Sequence, residues 1–238
     1  GPCVSPLIIL PPMTPLAITW FGHSTFVIVT PGGKRIVTDP WLEGNPKCPP
    51  GARIDKADVI LLSHGHSDHT GDAVSVARAT GAPVVAIHEL SLWLQQKGLK
   101  NVKGMGIGGT ITVAGLEISM TFAVHSSSVV ENDDIVYLGH PAGFVVRMED
   151  RRAFYFAGDT ALFGDMRLIA EEHAPEIAFL PIGDHYTMGP DAAARACKLL
   201  LVRQVVPMHY GTFPILTGTP ERLKELVEPS VDVLVLKP

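Results

Sequence analysis

The chain has 238 residues, of which 46% are hydrophobic and 18% are charged, so its composition is that of a folded protein and not of a disordered segment or a coiled coil. The 19 lysines and arginines against 24 aspartates and glutamates leave a formal net charge of -5, which disfavours a broad basic surface for extended nucleic acid. The 3 cysteines form no C-x-x-C pair, so neither a zinc finger nor a disulfide scaffold is indicated, and a reducing, cytoplasmic setting is expected.

The first residues carry no recognisable targeting signal. The apolar stretch at 4–16 is broken by prolines and has no basic residue before it, so it does not resemble a secretory signal. No apolar run reaches the length of a membrane-spanning helix, and we expect no membrane association. Gly1-Pro2 resembles a protease-cleavage remnant, and residues 1–12 are interpreted as an N-terminal extension partly of that origin. Because no linker divides the rest, we expect a single domain over 13–238.

Strands dominate the first half of the chain. The predicted elements are strands at 16–21, 25–30, 34–39 and 58–62, a helix from 73 to 81, a strand at 84–87, a helix at 89–97, and a hairpin over 111–124 that turns near Gly115. The strand at 58–62 is a continuous apolar run, which is typical of a strand buried on both faces.

The second half alternates strands with helices. A second hairpin at 143–148 and 153–157 is followed by a helix at 165–172, a strand at 177–181, a helix at 191–201, a strand at 205–208, a helix at 220–227 and a strand at 231–236. Strand pairs followed by alternating units predict an α/β (α+β) class, with two sheets placed between layers of helices.

The strongest motif is His64-Gly65-His66-Ser67-Asp68-His69, which follows a predicted buried strand. Four side chains of metal-ligand type within six positions favour a divalent ion such as zinc, with manganese, iron or nickel also suited to nitrogen and oxygen ligands. In extended backbone, residues 64, 66 and 68 project to one side. A tight turn could therefore direct these three groups at one ion and His69 at a neighbouring ion.

Three further side chains of this type follow other predicted strands. His125 ends the hairpin at 111–124, Asp159 follows the strand at 153–157, and His209 follows the strand at 205–208. Each alone could be a structural residue, but the ends of strands are where open α/β sheets place their binding groups. Together they predict a metal site at one edge of the sheets.

At these residues the sequence resembles the metallo-β-lactamase superfamily. The string 64–69 matches its H-x-H-x-D-H signature, and His125, Asp159 and His209 follow in the expected order. Further blocks resemble the L-ascorbate-6-phosphate lactonase-like branch of bacterial metal-dependent hydrolases; they lie at 19–24, 38–40, 157–160, 163–166, 180–183, 187–190 and 207–213. The resemblance covers the chain from about residue 13 to its end.

The resemblance implies a four-layer αββα sandwich that holds two divalent metal ions at one edge. One ion would be held by His64, His66 and His125, and the other by Asp68, His69 and His209, with Asp159 bridging both. It also implies hydrolysis by a hydroxide that the two ions activate, because bound metal lowers the pKa of water toward neutrality.

Five residues receive other roles. We expect Asp68 also to act in catalysis by orienting the hydroxide or passing a proton to the leaving group. His185 is a candidate proton donor, with an ordinary loop histidine as the alternative. His23 and Asp39 are candidates for supporting the metal ligands or binding substrate, and Tyr210 for lining the pocket. The alternatives are a buried structural role for His23, a turn for Asp39 and core packing for Tyr210.

The expected activity is hydrolysis of a small-molecule ester or lactone, with phosphodiester cleavage next. Cleavage of short single-stranded nucleic acid and a non-catalytic metal-binding role remain alternatives. Redox chemistry is disfavoured because the redox relatives carry a carboxylate where this chain has His66. β-Lactam hydrolysis is disfavoured by the lactonase-like blocks. The apolar content makes a homo-oligomer an open expectation.

Overall fold

Two β-sheets form the centre of the structure, a computed structural model that describes residues 15–238. The predicted N-terminal extension, residues 1–12, lies outside the described residues. None of the helices within 15–238 combines the length and the apolarity that crossing a membrane requires.

The first sheet has six strands that lie side by side in chain order. They are β1 (Ala17–Trp20), β2 (Phe26–Val29), β3 (Arg35–Thr38), β4 (Val59–Leu61), β5 (Val84–Ile87) and β6 (Val102–Met105). β1, β2 and β3 are antiparallel, whereas β3 to β6 are parallel. The parallel strands β4 and β5 are fully buried, in agreement with their continuous apolar sequences.

The second sheet has seven strands, and a separate hairpin lies beside the sandwich. The sheet contains β7 (Thr110–Val113), β8 (Leu116–Phe122), β11 (Ala142–Arg147), β12 (Ala153–Phe156), β13 (Ile177–Pro181), β14 (Gln204–Met208) and β15 (Asp232–Val233). Their spatial order is β15-β14-β13-β12-β11-β8-β7. The separate hairpin consists of β9 (Ser128–Glu131) and β10 (Asp134–Tyr137).

Helices cover the outer face of each sheet. Besides the short α1 (Ser67–Thr70), they are α2 (Ala73–Thr80) and α3 (His88–Gln96) on the first sheet, and α4 (Met166–His173), α5 (Pro190–Leu200) and α6 (Pro220–Leu226) on the second. The layers therefore follow the order helix, sheet, sheet, helix, which confirms the αββα sandwich.

The side chains of β12 alternate between two hydrophobic cores, one on each face of the second sheet. Phe154 and Phe156 pack toward the first sheet, while Tyr155 between them packs toward α4 and α5. All three side chains are fully buried. Successive residues of a strand point to opposite faces, so an uninterrupted apolar strand is the expected sequence for a sheet covered on both sides.

Four elements differ from the sequence expectations. β6, the β9–β10 hairpin and the short helix α1 were not among the predicted elements, and β15 spans two residues where a strand over 231–236 was expected. β6 is an edge strand with a half-exposed Val-Lys-Gly-Met sequence, so it lacks the apolar pattern of the central strands. β15 pairs only with Gln204 and Val205 of β14, at the other sheet's edge.

Candidate metal centre

The residues that follow four of the strands lie together at one edge of the sandwich. His64 follows β4 by three residues, His125 follows β8, and Asp159 and His209 follow β12 and β14. β12 and β14 lie parallel to β13 between them, so their carboxyl ends reach the same edge of the second sheet. β4 brings the His64–His69 string to that edge from the first sheet.

The carboxylate of Asp159 lies at the centre of the cluster and is almost completely buried. Its Oδ2 atom is 3.0 Å from Nε2 of His209, 3.2 Å from Nε2 of His69, 3.4 Å from Nε2 of His125 and 3.7 Å from Nε2 of His64. One oxygen therefore faces four imidazoles that come from three different parts of the chain.

The ligand-type atoms around Asp159 form two main groups, and a third group of Asp39, His64 and His69 joins them. His64, His66 and His125 form one group, and within each group the atoms lie within 4.8 Å of one another. Nε2 of His64 and Nδ1 of His66 are 3.0 Å apart, close to the ~3.3 Å that separates two nitrogens on a tetrahedral zinc ion. The other group consists of Asp68, His69 and His209, together with His23.

The expectation that residues 64, 66 and 68 share one side is wrong beyond residue 66. The chain is extended at His66, but α1 begins at Ser67 and includes Asp68 and His69. This single helical turn redirects the last two ligand-type side chains to the second group. The string therefore contributes two side chains to each group, because its backbone changes from extended to helical in the middle.

Asp39 fixes the orientation of two of these histidines through hydrogen bonds. Its Oδ2 atom accepts from Nδ1 of His69 at 2.7 Å and from Oγ of Ser63 at 2.6 Å. Because the Ser63 hydroxyl donates to Asp39, the 2.9 Å contact between Ser63 Oγ and His64 Nδ1 requires the histidine to donate. His64 and His69 therefore keep their Nε2 atoms for the centre of the cluster.

His23 supports the second group from the first sheet. Its Nε2 atom is 2.8 Å from Oδ2 of Asp68, and its Nδ1 atom is 2.7 Å from Oγ1 of Thr212. With Asp68 ionised, Nε2 donates and Nδ1 accepts from the threonine. The His23 ring also lies 3.8 Å from the ring of His209, centroid to centroid.

The electrostatics of the cluster suit a divalent cation. Burial lowers the pKa of His64, His66 and His125, so their lone pairs are free near neutral pH, as metal ligation requires. Burial opposes charge on Asp159 as well, yet His209 and His69 hold the pKa of this carboxyl well below its usual range.

His69 has the opposite shift. Burial by itself lowers its pKa, but Asp159, Asp68 and Asp39 together raise the pKa well above its ordinary value. Nε2 of His69 and Oδ1 of Asp159 are nonetheless buried without a hydrogen-bond partner. Unpaired buried polar atoms are costly, and a positive ion placed between a carboxylate and neutral imidazoles satisfies both. The residues present therefore fit bound metal.

Two of the residues predicted for this site lie outside the cluster. His185 is exposed in the loop after β13, with its ring edge-on to Tyr186 at 4.5 Å between centroids. Tyr210 is half-buried and stacks on Trp20 at 5.3 Å, and burial raises its pKa to about 12. Neither lines the cleft above the cluster.

That cleft has a volume of about 330 Å³. It is lined by His66, Asp68, His125, Ser126, Asp159, Tyr186, His209 and Phe213. Ser126, Tyr186 and Phe213 were not among the predicted site residues. Phe213 belongs to a family-like block and Ser126 follows His125 directly, but nothing in the local sequence around Tyr186 indicates a position in the cleft.

The sequence matches the family model described as the beta-lactamase superfamily domain over residues 34–210. It is 49% identical over 224 residues to a UPF0173 metal-dependent hydrolase of Koribacter versatilis, covering 94% of this chain and 96% of the relative. It is also 46% identical over 226 residues to a UPF0173 metal-dependent hydrolase of Methanopyrus kandleri, covering 94% and 97%.

Among solved structures, the chain is similar to Igni18, a metallo hydrolase from the archaeon Ignicoccus hospitalis. The two share 40% identity and a TM-score of 0.82, over 94% of this chain and 95% of the other. An isothiocyanate hydrolase from Delia radicum gut bacteria shares the fold at 21% identity, with a TM-score of 0.70 over 92% and 95% of the chains.

Proposed function

Because the chain belongs to the beta-lactamase superfamily and is a UPF0173 metal-dependent hydrolase, we propose that it hydrolyses a small-molecule ester or lactone with water activated at a two-ion centre. Zinc ranks first for both positions, with manganese, iron or nickel as alternatives, because every ligand is nitrogen or oxygen. A phosphodiester is the next substrate class. Membership of the lactonase-like branch, which the sequence blocks suggest, is part of this proposal.

The position of Asp159 is the observation that carries the proposal. Its carboxylate stands between a three-histidine group and a group of Asp68, His69 and His209. A carboxylate has two oxygens and can serve one ion with each. Asp159 would therefore serve both ions, the first would be held by His64, His66 and His125, and the second by Asp68, His69 and His209.

Divalent ions held by these residues would lower the pKa of bound water and polarise a substrate oxygen. Asp68 then has a second task, because it faces the cleft while its Oδ2 atom is held by His23. With one oxygen anchored, the remaining oxygen can take a proton from the attacking water and pass it to the leaving oxygen. One water is consumed, the acyl C–O bond breaks, and an acid and an alcohol are formed.

The dimensions of the cleft favour a small substrate. Its volume of about 330 Å³ is at the lower end of the range for sites that bind small molecules. The net charge of -5 gives little general attraction for extended nucleic acid. His185, whose ring contacts that of Tyr186 edge-on, belongs to the proposal as a proton donor for a bound substrate.

The Asp159→Asn variant tests this function. We expect metal per chain, measured by plasma mass spectrometry after dialysis, to fall from about two ions to one or fewer, because the bridging charge is lost. Hydrolysis of p-nitrophenyl butyrate should disappear with it. Asp150→Asn, which changes a carboxylate that pairs with Arg152 and lies outside the cluster, is the matched control and should keep both properties. Full metal content and full turnover in Asp159→Asn would contradict the proposal.

A further inference from the structure

Two aromatic side chains line the cleft beside the metal-ligand residues. Phe213 and Tyr186 both line it, and they come from different loops, after β14 and after β13. The rest of the lining consists of the His and Asp cluster and Ser126. A substrate bound in the cleft can therefore contact these two rings beside the metal-ligand residues.

Phe213 is held in place by two other rings. Its centroid is 6.1 Å from that of Trp41 and 5.9 Å from that of His23, with the His23 ring edge-on. His23 is completely buried and bound to Asp68 and Thr212, so this side of the cleft is a supported apolar surface. Rings held in one orientation lose little conformational freedom when they bind a ligand.

Tyr186 is the more exposed of the two rings. Its side chain is 59% exposed, and its backbone N–H donates to the carbonyl oxygen of Asp184 at 2.7 Å. Its ring contacts that of His185 edge-on, at 4.5 Å between centroids. Tyr186 can therefore offer both an apolar ring and a hydroxyl to a ligand in the cleft.

Lysine and arginine are missing from the cleft lining within residues 15–238. Residues 1–14 contain no lysine or arginine that could supply one. Lys47 lies outside the lining, near Gly211, where its Nζ would be 3.8 Å from a Cβ atom added to that glycine. Sites for phosphate or carboxylate substrates usually use Arg or Lys to bind the charges that the metal ions do not.

We propose that the cleft selects an uncharged ester or lactone whose apolar substituent lies against Phe213 and Tyr186. This inference rests on the proposed function and narrows its substrate class. Water adds its oxygen to the carbonyl carbon, the C–O bond to the alcohol oxygen breaks, and that oxygen takes a proton. A phosphodiester keeps a charge that no lysine or arginine in the described cleft lining balances, so the metal ions alone would have to bind it.

The experiment compares two substrates with the same leaving group on the metal-loaded full chain. p-Nitrophenyl butyrate is uncharged and apolar, whereas bis(p-nitrophenyl) phosphate is anionic. We expect the butyrate to have the higher kcat/KM, by at least about tenfold. Phe213→Ala and Tyr186→Ala should each raise its KM about tenfold while kcat changes less than about twofold, because they remove binding surface and no reacting group.

Three control variants separate the ring contacts from other effects. Tyr186→Phe keeps the ring and should retain the wild-type KM. Tyr137→Ala removes an exposed tyrosine of the β9–β10 hairpin and should also leave KM unchanged. Lys47→Ala should leave both substrates unaffected. A preference for the phosphate diester, a loss of its hydrolysis in Lys47→Ala, or an unchanged butyrate KM in both ring variants would overturn the inference.

A binding measurement distinguishes failure of this inference from failure of the proposed function. N-phenylbutyramide, an uncharged analogue, is titrated calorimetrically into wild type, Phe213→Ala and Tyr186→Ala. Ring-dependent binding without any ester hydrolysis would support the selectivity and contradict the hydrolase proposal. Hydrolysis of the butyrate with no ring-dependent binding of the amide would support the hydrolase proposal and contradict the selectivity.

Discussion

Asp39 connects the two ligand groups at the level of single residues. It lies in a left-handed backbone conformation, with a φ of 37°, directly after β3. Its carboxylate receives hydrogen bonds from Ser63 and His69, and Ser63 in turn receives one from His64. Burial raises the pKa of Asp39, while His69 and Ser63 oppose this shift. One carboxylate therefore sets the tautomers of two candidate ligands on different ions.

We expect Asp39→Asn to weaken metal binding about 10–100-fold, the range for partners of metal-bound histidines. Oδ2 of Asp39 accepts from His69 Nδ1 and the Ser63 hydroxyl, and Oδ1 accepts from the Ser63 backbone N–H at 2.8 Å. The amide has the shape of the carboxylate but only one oxygen, so in either orientation its NH2 group faces a donor. Competition against a chromophoric chelator measures the affinity, and circular dichroism checks the fold. Unchanged affinity relative to Asp150→Asn would show that Asp39 does not orient the ligands.

His23 makes a second connection across the sandwich. It precedes β2 in the first sheet, while its partner Thr212 follows β14 in the second and lies 189 positions away in sequence. His23 also has a positive φ, 55°, which non-glycine residues adopt rarely. Its backbone carbonyl accepts hydrogen bonds from Trp20 Nε1 and from the N–H of His209. These contacts hold the ring beside Asp68.

At the scale of elements, the β9–β10 hairpin was not among the predicted elements, although its sequence contains a local turn signal. Asn132 and Asp133 connect the strands with φ angles of 50° and 67°. Two residues with positive φ are typical of a type I′ turn, which favours Asn and Asp. The pair lies between β-branched runs, so this hairpin was accessible from sequence. β6 was not, because its half-exposed sequence follows from its position at the sheet edge.

The packing between the sheets depends on Phe179 of β13. Its ring lies 5.0 Å from Phe26 of the first sheet and 5.6 Å from Phe154 of β12, measured between centroids. We expect Phe179→Ala to lower the free energy of unfolding by about 3–5 kcal/mol, because it leaves a cavity between the sheets. Phe122→Ala, at a 42% exposed position, should cost less than about 1 kcal/mol. Urea denaturation compares them, and equal losses would contradict this account of the core.

At the scale of the whole molecule, the buried histidines couple the stability of the metal-free protein to pH. Burial, with His209 as the next cause, lowers the pKa of His23 to about 4, and burial also lowers those of His64, His66 and His125. Unfolded histidines have a pKa near 6.5. Between these values the unfolded chain binds more protons, so stability falls as the pH falls.

We therefore expect chelator-treated protein to lose stability between about pH 6.5 and pH 4. His23 alone contributes on the order of 2 kcal/mol of this loss at pH 5. His69, whose pKa is raised, acts in the opposite sense, because its contribution is lost as the pH rises through that higher value. Urea midpoints at pH 7.5 and pH 5 measure the change, and equal midpoints would contradict it.

The sequence by itself determined the superfamily, the sandwich of sheets and helices, and the seven side chains of the cluster. The superfamily followed from the resemblance of the H-x-H-x-D-H string and the further blocks, whereas the helices and strands followed from apolar periodicity, which is a local property. The ligand-type residues could be identified because they follow recognisable strands. Only the tertiary structure decided which of them share a position, which hydrogen bonds orient them, and that Phe213 and Tyr186 line the cleft while Tyr210 does not. These facts depend on sheet register and on the helical turn at Ser67, which bring together loops distant in sequence.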